Sequence, residues 1–219
     1  MMTDKLLQLD LFNHTPLTTE PFPYVIVPGF INKNALANVH ADYPAVPGPG
    51  SYPLDLFTYG SAFKNLISEL EGPEFRNAIS EKFNIDLNNR PTMVTVRGHS
   101  QERDGQIHTD TKTKIITILL YMNPSWEQPG GQLRLLKNGQ NIEDVITEIP
   151  PVEGTLLVFK VSPNSWHGHK PFVGDRRVIQ LNYVLDENVI KKEIARHHFS
   201  AKVKKLKSMI GLGSLGSSY

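Results

Sequence analysis

The chain has 219 residues, with 23 Lys and Arg against 22 Asp and Glu, and no cysteine. That length suits one domain with a substantial core, and near neutrality gives no general field for nucleic acid or membrane surfaces. Without cysteine there are no disulfides and no thiolate ligands, so any metal must be held by His, Asp or Glu. The start lacks the charged, apolar and small-residue regions of a signal peptide, and no apolar run approaches the roughly 18 residues that span a bilayer. The expectation is a cytoplasmic protein with no membrane span and no nucleic-acid partner.

Residues 1–22 mix polar side chains with Pro16 and Pro21, and read as a loosely structured lead-in. Residues 23–90 read as a support region of helices and one strand. Tyr24 to Phe30 has strand character that ends at Pro28-Gly29, and Asn32 or Asn34 can cap a short helix through Ala35, Leu36 and Val39. Pro44 to Pro53 is either an ordered loop near a site or a lid. Two helices follow. Ser61 to Glu71 carries Phe63, Leu66, Ile67 and Leu70 at helical spacing, and Pro73 to Phe83 carries Phe75, Ala78, Ile79 and Phe83 behind a first-turn proline.

Past Asn89 the period changes from helical to β-like. Thr92 to Arg97, a segment around His108, Lys114 to Asn123, Gln132 to Leu136, Asp144 to Ile149, Thr155 to Val161, Trp166 to His169 and Arg177 to Leu185 read as strands. Pro129-Gly130-Gly131, Asn138-Gly139 and Pro150-Pro151 with Gly154 supply the turns. The pattern predicts an α+β, mainly β chain: a double-stranded β-helix (jelly roll) of about eight strands over residues 91–189, with the N-terminal helices packed on one sheet. Residues 190–219 read as a basic helix and a flexible tail, with Lys191, Lys192, Arg196, Lys202, Lys204, Lys205 and Lys207.

His108 and Asp110 stand at i and i+2, so on a strand both side chains leave the same face and can reach one cation. A distant His167 completes two imidazoles and one carboxylate. On an octahedral ion that set leaves positions open, the arrangement of non-haem Fe(II) oxygenases. The nearly continuous apolar run Lys114 to Asn123 fits a buried strand, with Ile115, Thr117, Leu119 and Tyr121 on one face and Ile116, Ile118, Leu120 and Met122 on the other. Arg177 opens the last strand ten residues after His167, where its guanidinium can pair with a carboxylate whose remaining lone pairs take the hydroxyls of Thr117 and Tyr121.

These residues together resemble the prolyl 4-hydroxylase-like branch of the Fe(II)/2-oxoglutarate-dependent dioxygenases. The resemblance covers about residues 92–186 and rests on an ordered set: His108-Thr109-Asp110, Leu120-Tyr121-Met122-Asn123, Trp126, Gly130-Gly131-Gln132-Leu133, Gly154 to Phe159, and His167 with Pro171, Gly174 and Arg177. It implies that His108, Asp110 and His167 hold iron, that Arg177 binds the far carboxylate of 2-oxoglutarate with help from Thr117 and Tyr121, and that O2 is the second cosubstrate. A substrate, either a side chain of a peptide or a small molecule, would then be hydroxylated with release of succinate and CO2.

The chain departs from that pattern on the strand before His108. Many relatives carry a tyrosine there, and this chain has Val96-Arg97-Gly98-His99, which leaves Arg97 facing either substrate or the metal-bound carboxylate. His169 competes with His167 as a ligand because i and i+2 share a face, and otherwise serves as its neighbour. Tyr183 matches an aromatic position lining the pocket in relatives. Arg176 reads as a solvated strand-edge charge, Trp126 and Trp166 as packing residues, and His197-His198 as solvent-exposed. Two rival readings use the same fold: a Zn or Mn hydrolase or isomerase, and a binding module without catalysis.

Overall fold

The computed structural model describes residues 5–196. The expectations for the rest of the basic tail, including His197-His198, lie outside the described residues.

The helices form where the apolar spacing puts them. Helix α1 (Leu9–His14) precedes strand β1 (Tyr24–Val27) and helix α2 (Lys33–Ala41), where the Asn32 side chain accepts the Asn34 N–H at 3.0 Å and so caps the first turn. Helix α3 (Ser61–Glu71) buries Phe63, Leu66, Ile67 and Leu70 on one stripe, and α4 (Pro73–Phe83) buries Phe75, Ala78, Ile79 and Phe83. Gly72 separates the two, and α4 stops at Asn84, which takes the left-handed conformation (φ 48°) that closes a helix C-terminus. Between α2 and α3 lie the two-residue strand β2 (Tyr52–Pro53) and a single 3-10 turn, Leu54–Leu56.

The remaining strands are β3 (Thr92–Ser100), β4 (Lys114–Tyr121), β5 (Leu133–Leu136), β6 (Val145–Ile149), β7 (Leu156–Lys160), β8 (His167–Gly168) and β9 (Gly174–Val184). They form a six-stranded antiparallel sheet in the order β1-β7-β4-β9-β3-β2, and a three-stranded one in the order β6-β5-β8. The expected strand around His108 is reduced to one antiparallel bridge, His108 to His167, which adds that residue to the free edge of β8. Neither sheet closes into a barrel.

Strict alternation along the central strands separates two apolar layers. Ile116, Ile118, Leu120, Leu156, Val158, Ile179, Leu181 and Tyr183 point outward and pack with the buried faces of α1 to α4, as the aliphatic face of β4 predicted. Leu119, Tyr121, Leu157, Phe159 and Val178 point inward against Leu133, Leu135 and Ile149 of the small sheet. The second layer fills only part of the space between the sheets, and the rest is the cavity described below.

The lead-in is more ordered than its composition suggested. Leu7 bridges to Ile31, Thr18 bridges to Tyr24, and Phe12 of α1 is fully buried between Phe30 (6.1 Å between ring centroids) and Phe75 (5.5 Å, edge-on). Glu69 of α3 accepts the backbone N–H groups of Leu6 and Leu7 at 3.0 Å. One aromatic anchor per turn is too sparse a pattern to show as periodicity, which is why the segment reads as loose. Phe12→Ala is expected to lower unfolding stability by about 3–5 kcal/mol, read from the urea midpoint at unchanged slope.

Candidate metal centre and its cavity

The loop between β3 and β4, bridged to β8 at His108, brings His108 and Asp110 up to His167. One nitrogen or oxygen from each lies within 4.8 Å of the others, and no other such trio occurs among the described residues. The two histidines are backbone partners: His108 N–H donates to His167 O at 3.0 Å and His167 N–H to His108 O at 2.9 Å, with their rings tilted 57° and 4.3 Å apart. Each ring also binds the carbonyl two residues before itself, His108 Nδ1 to Gln106 O at 2.7 Å and His167 Nδ1 to Ser165 O at 3.0 Å. A proton held on Nδ1 in this way leaves the Nε2 lone pair for a metal.

Asp110 is gripped on both oxygens. Lys114 Nζ lies 2.6 Å from Oδ1, and Thr117 Oγ1 donates to Oδ2 at 2.5 Å while accepting from Asn182 Nδ2 at 2.8 Å. Burial alone would raise the carboxyl, but Lys114, His167 and the Thr117 hydrogen bond outweigh it and hold Asp110 below the usual carboxylate range. Burial, with the neighbouring His108 charge, pushes His167 down to about 4, so it is a neutral imidazole ready to act as a ligand.

Around the trio lies a chamber of about 90 Å³ lined by Arg97, Leu119, Leu133, His169, Arg176, Val178 and Gln180 in addition to the three residues and Thr117. Arg176, read from sequence as a solvated edge charge, is instead buried here. Its Nε donates to Gly131 O at 2.7 Å, and its guanidinium lies 5.6 Å over the Tyr121 ring. The Tyr121 hydroxyl is fully buried beside Arg176; burial raises its pKa more than the Arg176 charge and hydrogen bond lower it. Arg176 has no carboxylate partner among the described residues.

Arg177, expected as the carboxylate anchor, is placed elsewhere. Alternation along β9 sends Arg176, Val178 and Gln180 into the chamber and Arg177 to the opposite face with Ile179, Leu181 and Tyr183. Its guanidinium lies 5.6 Å over the Tyr43 ring, beside His40 and His99 on the outer side of the sheet. Tyr183, expected in the pocket, belongs to that outer layer too, with Arg76 5.4 Å over its ring. Thr117 does face the chamber, but its hydroxyl is spent on Asp110.

His169 lines the chamber as a neighbour of the trio. Burial and the Arg176 charge push it down to about 4, and Nδ1 lies 2.8 Å from Lys170 O. Gly105, at φ +83°, lets the loop before His108 pass over its ring, because a Cβ there would come within 2.4 Å of Nδ1. Trp126 packs on Phe172 at 4.7 Å, as a packing residue should. Sequence reasoning missed the grip of Lys114 and Asn182 on the Asp110 network. The cross-strand register that pairs Thr117 with Asn182 carries that signal, but register is not visible before the strands are aligned.

An open two-histidine, one-carboxylate set, with a buried guanidinium beside it, has the donor types that a non-haem iron ion takes. Residues 94–184 match the family model of the 2OG-Fe(II) oxygenase superfamily. The fold is similar to a prolyl-4-hydroxylase from Pseudomonas putida (TM-score 0.52, 18% identity, covering 80% of this chain and 90% of that one). It is also similar to a 2OG-Fe(II) oxygenase family oxidoreductase from Burkholderia pseudomallei (0.51, 11%, 74% and 84%) and to a prolyl 4-hydroxylase from Phytophthora capsici (0.51, 15%, 74% and 58%). No curated protein gives a significant match. No described helix is long and apolar enough to cross a membrane.

Two outcomes are expected. Thr117→Val removes a hydrogen bond that orients Asp110 and should weaken Fe(II) binding about 10–100-fold in an anaerobic titration. His169 has a folded-state pKa below its unfolded value, so the unfolded chain binds the proton first. Metal-free stability should therefore fall as pH drops from 6.5 towards about 4, with the His169 imidazole remaining neutral by NMR through most of that window.

Proposed function

We propose that His108, Asp110 and His167 hold Fe(II), that Arg176 and Tyr121 receive the far carboxylate of 2-oxoglutarate, and that the enzyme hydroxylates a carbon of an organic substrate with release of succinate and CO2. One observation carries the reading: a buried guanidinium without a carboxylate partner, with the buried Tyr121 phenol beside it, lines one chamber with a trio that can hold a metal. A dicarboxylate that reaches from the metal to Arg176 supplies that partner. The bound iron and cosubstrate supply the oxidising chemistry.

The protein's own residues supply orientation. Nδ1 hydrogen bonds fix both imidazoles, Lys114 and Thr117 fix the carboxylate, and Arg176, held at Nε by Gly131 O, presents the rest of its guanidinium to the cosubstrate. Leu119, Leu133 and Val178 line the chamber with apolar surface that limits water beside the reacting atoms. A hydrolase, an isomerase or a simple binding module leaves Arg176 and Tyr121 idle. The prolyl 4-hydroxylases among the similar structures share the fold at 18% identity or less, which gives no warrant for a prolyl substrate.

Asp110→Ala should abolish Fe(II) binding and succinate formation together. Arg176→Leu should raise the Kd for 2-oxoglutarate at least about tenfold while Fe(II) affinity stays within about threefold, since the loss is of charged hydrogen bonds to the cosubstrate alone. Arg177→Leu should leave both within about threefold, because its side chain lies on the other face of the sheet. The opposite result for the two arginines, by calorimetry on the anaerobic Fe(II) form, would return the anchor to Arg177.

A further inference from the structure

The chamber holds a second guanidinium that the cosubstrate does not require. Arg97 is the inward residue of β3 opposite Val178 and shares its face with Met93 and Thr95. Among the described residues its guanidinium makes no hydrogen bond or ion pair; Asp104 is the one acid with a resolved influence on it, and Arg176 opposes its charge from the same chamber. Two like charges brought together under burial cost free energy unless anions neutralise them.

Charge bookkeeping shows what is left over. A trio-bound Fe(II) with Asp110, Lys114, Arg97 and Arg176 carries a net charge of about +4, and 2-oxoglutarate brings about −2. Lys114 is matched by Asp110, Arg176 by the cosubstrate's far carboxylate and one iron charge by its near carboxylate, which leaves a net charge of about +2, half of it on Arg97.

Position decides which anion it meets. Arg97, His108, Asp110 and Gln180 line both the chamber and a second, adjoining cavity of about 260 Å³ that also takes in Thr95, Lys114 and the ion-paired Glu193 and Arg196. The adjoining cavity, at about 260 Å³ against about 90 Å³ for the chamber, is the roomier approach to the trio for a substrate. There it meets the Arg97 guanidinium, the Thr95 hydroxyl and Gln180. Gln180 spends its amide N–H on Asn182 Oδ1 (3.0 Å) and keeps its carbonyl oxygen as an acceptor.

Resting on the cosubstrate reading above, we propose that Arg97 is a specificity-determining residue that binds a substrate carboxylate, and that the substrate is a small acid carrying an N–H or O–H donor, a free amino acid being the simplest fit. The planar fork of Arg97 takes the carboxylate, and the Gln180 carbonyl takes the donor. A chain-internal prolyl residue has neither group and leaves Arg97 buried without a counter-ion.

The test uses the full chain loaded anaerobically with Fe(II) and 2-oxoglutarate, titrated calorimetrically with free L-amino acids, with their α-carboxamides and with a proline-containing peptide blocked at both ends. At least one free acid should bind, and its carboxamide should bind at least about tenfold more weakly. Arg97→Gln should erase that difference while the Kd for 2-oxoglutarate moves less than about threefold, and Arg97→Lys, which keeps the charge, should recover part of it. Equal weakening of acid and 2-oxoglutarate by Arg97→Gln overturns the inference and makes Arg97 a cosubstrate ligand. So does equal binding of acid and carboxamide, binding of the blocked peptide alone, or binding of none of the three. If the unmutated protein binds no 2-oxoglutarate in an Fe(II)-dependent way, the cosubstrate reading itself fails.

Discussion

The two-residue alternation of β4 and β9 is the constraint on which the rest depends. These strands lie at the centre of the six-stranded sheet and are covered on both sides, so each successive residue is committed to one of two environments. Outward residues form the floor on which four helices sit, and inward residues form the wall of the chamber. The sheet therefore couples stability to chemistry: the register that buries Ile118, Leu120, Ile179 and Leu181 under the helices also turns Thr117, Tyr121, Arg176 and Gln180 towards the metal-binding trio. A slip of one residue would expose the aliphatic face and withdraw the polar groups together.

Electrostatics in the chamber follow from this placement. Asp110 is the one carboxylate lining it, against the guanidiniums of Arg97 and Arg176, so its walls carry an excess of positive charge although the whole chain is almost neutral. Burial then works differently on each group. It drives His167 and His169 to their neutral forms, which suits a ligand and its neighbour, while Asp110 stays ionised because Lys114 and Thr117 oppose burial. Neutral imidazoles, one carboxylate and unmatched guanidiniums make a container for anions bound to a divalent cation.

Much of this was legible in the sequence where periodicity or spacing is local. The bounds of α3 and α4, the two faces of β4 and the His-x-Asp pair each depend on residues within one or two turns of each other. Arg176 and Arg177 show where such reading fails. Adjacent arginines at the start of a strand differ only in parity, and parity follows from partners far away in the chain: the register of Thr117 with Asn182 and of Tyr121 with Val178 puts the even-numbered residues of β9 inside. Counting back from Asn182 as a polar partner for Thr117 places Arg176, not Arg177, on the inward face. The order of α1 was hidden for a related reason, since Phe12 is held by Phe30 and Phe75 rather than by its own neighbours.

The bridge between His108 and His167 bears on how this catalyst can change over time. Two reciprocal main-chain hydrogen bonds set the spacing of the ligands, and they need no particular side chain at either position. Thr95, Arg97 and Gln180, by contrast, meet the adjoining cavity through side chains on β3 and β9, away from that bridge. The backbone that spaces the trio and the side chains that line the neighbouring cavity are thus separately heritable, so two or three inward substitutions can reshape the cavity without moving the trio.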